Sequence, residues 1–302
     1  MNQAPELLAP AGTLKAMRFA FAYGADAVYA GQPRYSLRVR ENDFHDPAVL
    51  AEAIAEAHAL GRKFYLASNI SAHNNKVATY ERDLQQVIEM GPDALIMSDP
   101  GLIMLVRERW PQMPVHLSVQ ANATNWATVK FWQQQGLQRV ILSRELSLEE
   151  IEEIRRQCPD MELEVFVHGA LCIAYSGRCL LSGYFNHRDA NQGACTNACR
   201  WKYDLQPARE TPEGNVEPVV VEPQAQPLYL LNQSDKPDEQ MAVEEDEHGT
   251  YIMNSKDLRA VQHVPRFVEM GIHSLKIEGR TKSHFYVART VQTYRKAIDD
   301  AM

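Results

Sequence analysis

Long apolar runs are missing from this sequence. No stretch approaches the ~18 consecutive apolar residues that a bilayer-spanning helix needs, so the chain reads as one that does not enter a membrane. Residues Met1 to Pro10 lack a basic head followed by an apolar block, so no secretory leader is expected and the protein reads as cytoplasmic. Cysteine is scarce. Five in 302 residues are too few for a disulfide scaffold in a compartment that keeps thiols reduced. Hydrolase signatures are absent too: there is no His-Glu-x-x-His and no Gly-x-Ser-x-Gly. No Gly-x-Gly-x-x-Gly follows the first apolar run, which argues against dinucleotide binding.

Positive charge is in deficit, but only locally. The formal net charge is −8, and the segment Lys202 to Thr250 alone carries 12 acidic against 3 basic residues. The rest of the chain is therefore close to neutral, which leaves RNA binding open. The acidic segment holds Pro207, Pro212, Pro218, Pro223, Pro227 and Pro237 and ends in Glu244-Glu245-Asp246-Glu247. That composition belongs to a poorly packed surface insertion, and a protein partner could dock on it.

What is abundant is a repeating unit. A short apolar run, a polar break, an amphipathic stretch and a terminating glycine recur, with Gly24, Gly61, Gly91, Gly136 and Gly271 placed where an αL residue ends a helix. The expected strands are Glu6 to Pro10, Asp26 to Ala30, Lys63 to Ala67, Ala94 to Ser98, Val115 to Val119, Arg139 to Ser143, Glu162 to His168 and Ser274 to Glu278. Helices are expected between them, including Leu148 to Arg156 behind a Ser147/Glu150 capping box, Asp257 to Met270, and Tyr286 to Met302. Eight such units predict an α/β fold, a (β/α)8 TIM-like barrel spanning 1–302, with a Cys-rich loop and the 202–250 insertion after the seventh strand. The runner-up is an open doubly wound sheet.

A barrel of this kind binds ligands at the carboxyl ends of its strands. Asn69, Gln120, Arg144, His168, Glu278 and Arg280 fall there. Alternation puts Lys276 and Glu278 on the polar face of the eighth strand, opposite Leu275 and Ile277. A charge pointing into the barrel must pair or serve a ligand, so these two are candidates for acid or base work or for a structural ion-pair layer. Arg34 and Arg38, with Tyr35 between them, follow the second strand and could hold a carboxylate or phosphate.

Four of the five cysteines, Cys172, Cys179, Cys195 and Cys199, fall within 28 positions after the seventh strand. Soft thiolates at that density select zinc or an iron-sulfur cluster. Gaps of six, fifteen and three residues suit a cluster held from an irregular loop better than zinc knuckles. A radical S-adenosylmethionine site would need cysteine at position 202, which is Lys202. A Cys nucleophile served by His168 is a further reading, whereas Cys158, at the end of a predicted helix, is a packing residue.

Glu164-Val-Phe-Val-His-Gly-Ala-Leu-Cys172 with Tyr175-Ser-Gly-Arg-Cys179-Leu-Leu-Ser182 resembles the signature of the collagenase-like peptidase family. Pro5 to Gly12, Gly24 to Gly31 and Ser274 to Arg280 are similar to its other blocks. Within it, Tyr35 to Arg40 and Met90 to Gly101 most resemble the branch that hydroxylates a tRNA wobble uridine to 5-hydroxyuridine with prephenate. The resemblance implies oxygen insertion rather than proteolysis, a 4Fe-4S cluster on Cys172, Cys179, Cys195 and Cys199, and the tRNA anticodon region as partner. In that picture Lys276, Glu278 and His168 are catalytic candidates, while Arg34, Arg38, Arg144 and Arg280 bind prephenate carboxylates or RNA phosphates, and Asn69 and Gln120 complete the substrate site. The longer tRNA-modifying relatives continue into a C-terminal domain beyond the point where this chain ends. The alternatives are a peptidase using Cys or metal chemistry and a zinc-bound, non-enzymatic scaffold.

Overall fold

A computed structural model describes residues 3–37, 43–172, 174–176, 178–188, 190–200, 203–212, 214–218, 228–233, 236–243 and 257–302. They fall into two compact units, Met1–Thr196 with Lys256–Met302, and Asn197–Ser255.

In the first unit, β1 (Glu6–Pro10), β2 (Ala27–Gly31), β3 (Lys63–Ser68), β4 (Ala94–Met97), β5 (Val115–Leu117), β6 (Arg139–Ile141) and β7 (Glu162–Gly169) pair in parallel in chain order. Ser274–Ile277 pairs in parallel with both β7 and β1, so the sheet closes into the expected eight-stranded barrel. Strand alternation explains the closure. Ala27, Tyr29, Tyr65, Ala67, Ala94, Ile96 and Ile141 form one buried cluster inside the barrel, with the half-buried Phe166 packed against it. Their neighbours Val28, Phe64, Leu66, Leu95, Val140, Leu275 and Ile277 form another against the helices. Each fully buried Val, Leu, Ile or Phe among them contributes about 1.5–3 kcal/mol relative to exposure.

The helices between the strands are α1 (Leu14–Ala22), α2 (Pro47–Ala59), α3 (Asn74–Glu89), α4 (Pro100–Arg109), α5 (Trp126–Gln134) and α6 (Leu148–Gln157). Local chemistry sets their starts. Thr13, Asp46, Asp99, Asn125 and Ser147 each accept a hydrogen bond from a first-turn backbone N–H, and Ser147 and Glu150 form the predicted capping box. Gly24, Gly61, Gly91, Gly136 and Gly271 all have positive φ, as their placement after the helices required.

Three expectations need correction. The fifth strand stops at Leu117, because Ser118 caps a 3₁₀ turn over Val119–Ala121, its hydroxyl accepting from the Gln120 amide. Asp257 to Met270 is not one helix. A short antiparallel strand pairs with β7 at Leu258 and Arg259, and the helix is confined to Val264–Glu269, where Pro265 suits the first turn because it has no N–H to lose. The C-terminal helix, His284–Ala301, begins two residues before its expected start and packs against the barrel through Val287, Val291, Tyr294 and Ile298.

The second unit contains the acidic insertion. Its described residues form a four-stranded antiparallel sheet from β8 (Tyr203–Glu210), β9 (Val216–Pro218), β10 (Leu228–Gln233) and β11 (Lys236–Val243). The segment therefore carries regular structure where its composition suggested little. Lys202 and the Glu244 to Glu247 run lie outside the described residues. The remaining strands and α-helices of the described residues are β12 (Leu258–Arg259), β13 (Ser274–Ile277), α7 (Leu181–Asn186), α8 (Val264–Glu269) and α9 (His284–Ala301).

Candidate active site

The carboxyl ends of the strands and the loop after β7 enclose one pocket. It is lined by Asn69, Gln120, Arg144, Lys276, Glu278 and Arg280 from the barrel and by Cys172, Cys179 and Cys195 from the loop. Tyr29 and Phe166, both inward-facing, and Ser176 and Asn191 complete much of the wall.

Below the pocket runs a buried ion-pair ladder. Lys276 Nζ donates to Glu164 Oε1 at 2.7 Å, and Arg139 Nη1 reaches Glu164 Oε2 at 3.2 Å and Glu6 Oε1 at 2.6 Å. Burial pushes the Lys276 ammonium below its ordinary pKa, with Glu164 acting against that shift. The amine also sits 4.4 Å from the Tyr29 ring centre. His116 lies in the same interior, edge-on to Tyr65, and burial beside Arg139 and Lys276 pushes its pKa well down, so it stays neutral. Lys276 is thus a member of a structural ion-pair layer and also lines the pocket.

At the pocket itself Arg144 is held on three sides. Nη2 donates to Glu278 Oε2 at 2.9 Å, Nη1 donates to the Ala170 carbonyl at 2.8 Å, and the guanidinium lies 3.8 Å over the Phe166 ring. Arg280 donates from Nη1 to Ser36 Oγ at 2.8 Å. Gly31 makes this approach feasible, since a Cβ there would lie 2.7 Å from the Ser36 hydroxyl and 3.1 Å from Arg280 Nη1. Asn69 Nδ2 donates to Ser118 Oγ, which joins β3 to the turn carrying Gln120. Two guanidinia, an ammonium and two amides around a partly apolar cavity suit a planar, polar or anionic ligand.

The loop is bonded to the barrel and braced within itself. β7 ends at Gly169, whose φ of +105° is needed because a Cβ would stand 2.6 Å from the Glu278 carbonyl oxygen. Further on, Asn122, itself at φ +54°, donates to the Ser176 carbonyl at 3.0 Å, and Thr196 donates its amide to Ser182 Oγ at 3.0 Å. Ser182 Oγ also lies 4.0 Å from Cys195 Sγ. Cys199 falls in the second unit. Cys158 is buried with its thiol facing the Trp126 carbonyl, a packing role as expected. Among the described residues no three His, Cys, Asp or Glu side chains converge closely enough to hold a single metal ion.

Two sequence candidates, His168 and Arg34, are not brought to the pocket. His168 is turned outward by a register shift between β7 and β13, where Phe166 pairs with Lys276 but His168 pairs with Ile277. Its ring packs against Tyr286 and Tyr294 of α9, and Nδ1 lies 3.4 Å from the Tyr294 hydroxyl. It therefore does not serve as base to a pocket thiol. Arg34, at φ +66°, pairs with Asp83 of α3 at 2.6 Å on the surface. Arg38 lies outside the described residues. Sequence reasoning missed Tyr29 and Phe166, although the period-two alternation that placed Lys276 also turns them inward; nothing local marked Ser176 or Asn191.

The fold and the pocket define a (β/α)8 barrel with a pocket lined by charged and amide side chains at its carboxyl face, bordered by a Cys-bearing loop. The model of Peptidase family U32 matches residues 12–302, and the chain belongs to that family. It is 68% identical over 311 residues to the tRNA hydroxylation protein P of Escherichia coli K12, covering 98% of this chain and 68% of that protein. It is 64% identical over 313 residues to the tRNA hydroxylation protein P of Haemophilus influenzae, again covering 98% and 68%. The solved structure of the U32 peptidase Mk0906 shares the fold at TM-score 0.55 and 12% identity, over 93% of this chain and 95% of that one. Among the described residues no helix is long and apolar enough to cross a membrane.

Proposed function

We propose that this chain is an RNA-modifying enzyme that hydroxylates tRNA, acting on the wobble uridine at carbon 5 to give 5-hydroxyuridine, in the cytoplasm. The observation that carries this reading is the single pocket in which Arg144, Arg280, Lys276, Asn69 and Gln120 meet three cysteines of the loop, in a chain so similar to proteins named for tRNA hydroxylation. An anticodon-loop base is already unpaired, so turning it into the barrel mouth costs little. Asn69, Gln120, Tyr29 and Phe166 line the pocket; in this reading the two amides hydrogen-bond the edge of the base and the two rings wall it. Arg144 and Arg280 bind the carboxylates of prephenate or the flanking phosphate. Lys276 and Glu278 hold or move a proton beside the bound ring.

By donor type, Cys172, Cys179, Cys195 and Cys199 suit a 4Fe-4S cluster, since four thiolates satisfy its iron. Such a cluster, when bound, would supply one-electron chemistry. Nucleoside analysis of tRNA from a deletion strain, complemented with this chain, tests the activity: 5-hydroxyuridine derivatives should vanish and return. Iron and acid-labile sulfide on anaerobically purified protein test the cluster. About four of each per chain are expected, with loss in Cys195→Ser; one zinc without sulfide would remove the cluster from this reading and favour a zinc-bound scaffold.

A further inference from the structure

Beside the reactive pocket lies a second, outer one that shares Gln120 and Asn191 with it and is bounded by Arg178, Leu180 and Trp132. We propose that this outer pocket and the loop rim above it seat the single-stranded RNA flanking the reactive nucleotide, an inference that rests on the tRNA reading. The loop exposes apolar side chains: Leu180, which lines the outer pocket, is 79% exposed, and on the same loop Tyr175 is 54% and Tyr184 71% exposed. All three sit on the one loop, Ala170 to Thr196, that also carries exposed Arg178, His187 and Arg188. Acidic residues are nearly absent from this loop, Asp189 being the exception, in a chain whose net charge is −8.

Exposed aromatic rings interleaved with guanidinia form the recurrent surface for unpaired nucleotides. Every base presents a π-face to a ring, and arginine meets the phosphate between bases. The two pockets meet at Gln120 and Asn191, so a strand entering the inner one leads its neighbour into the outer one. Asp99 also lines the outer pocket, but its carboxylate is occupied by backbone donors, accepting from Leu102 N at 3.0 Å and Ala72 N at 3.1 Å. The loop is anchored to the barrel by the Asn122 bond to the Ser176 carbonyl, so the rim is presented at a fixed place beside the site.

The test is fluorescence anisotropy with a labelled tRNA anticodon stem-loop and a fully paired duplex of equal length. For the stem-loop, Tyr184→Ala should raise Kd about tenfold and Tyr184→Trp should preserve it. Arg178→Ala should weaken binding and reduce the salt slope by about one. Duplex binding should be weaker and indifferent to Tyr184→Ala. Circular dichroism and melting of each variant check that the loop change leaves the barrel folded. Wild-type affinity in both folded Ala variants overturns the proposal while leaving the tRNA reading intact. Loss of self-association rather than of RNA affinity in Tyr184→Ala overturns it in favour of a contact between two copies. A deletion strain that keeps its 5-hydroxyuridine removes the tRNA reading, and this proposal with it.

Discussion

Lys276 Nζ lies 2.7 Å from Glu164 Oε1, and neither side chain is more than 3% exposed. The pair closes the inside of the barrel between β7 and β13 and joins the pocket floor to the Arg139–Glu6 pair beneath it. A carboxylate shared by two buried cations is the element on which the interior charge balance turns.

Replacing Glu164 by Gln should therefore destabilise the barrel by about 3 kcal/mol, because the buried Lys276 ammonium loses its ion-pair partner and Arg139 loses one of its three carboxylates. The urea midpoint at constant slope measures this. The double variant Glu164→Leu with Lys276→Met should recover much of the loss, since an apolar pair of similar volume has no charge to desolvate and Arg139 keeps Glu6 and Glu162. No recovery would show that the ladder acts as more than a charge pair.

Arg144 offers a sharper test of the pocket. Its fork makes two hydrogen bonds while lying on the Phe166 ring, a combination that a single ammonium cannot reproduce. Arg144→Lys should lower 5-hydroxyuridine recovery in the complemented deletion strain about tenfold, the value of one lost charge-assisted hydrogen bond. Unchanged nucleoside levels would take Arg144 out of the site.

Gly169→Ala should cost on the order of 1–3 kcal/mol and disturb the loop that follows. The added methyl would stand 2.6 Å from the Glu278 carbonyl oxygen, at a φ of +105°. Gly61→Ala is the control, with nothing within 4 Å and only the left-handed backbone to oppose it. Thermal melts should show the larger loss at Gly169.

High pH probes the packing of α9. Tyr294 donates to the Val167 carbonyl at 2.6 Å and Tyr286 to the Glu278 carbonyl at 3.0 Å, and burial pushes both phenols up to about 12. A phenol whose folded pKa exceeds the unfolded value of 10.0 contributes stability that is complete below pH 10 and is lost as pH rises toward 12. Ultraviolet titration should show a late phenolate phase accompanied by a fall in the urea midpoint. Complete phenol titration in one step near pH 10, with the fold intact, would contradict it.

The barrel was legible because its information is local. Strand alternation sorts Leu275 and Ile277 from Lys276, and cap residues such as Ser147 and glycines such as Gly136 mark helix ends within a turn. Errors arose where one residue changed the bookkeeping. Ser118 diverts the fifth strand into a 3₁₀ turn, Pro265 shortens α8, and a bulge turns His168 from the barrel mouth to α9. Arg34 looked like a ligand-binding group because Asp83, 49 residues away, is invisible to any window of sequence.

By itself the sequence determined the eight-unit repeat, the family signature, the clustering of four cysteines after β7, and the confinement of excess acid to 202–250. Those are properties of residue type and spacing, which short-range sterics and burial convert directly into strands, helices and turns. Only the tertiary structure decided which charges meet: that Glu164 binds Lys276 from 112 residues away, that Arg144 pairs with Glu278 from 134 away, and that Asn122 holds the Cys-bearing loop over the pocket. Barrel closure brings these groups together in a low-dielectric interior, where partners are chosen by geometry and by the cost of leaving a buried charge alone, and neither quantity is written in any short stretch of chain.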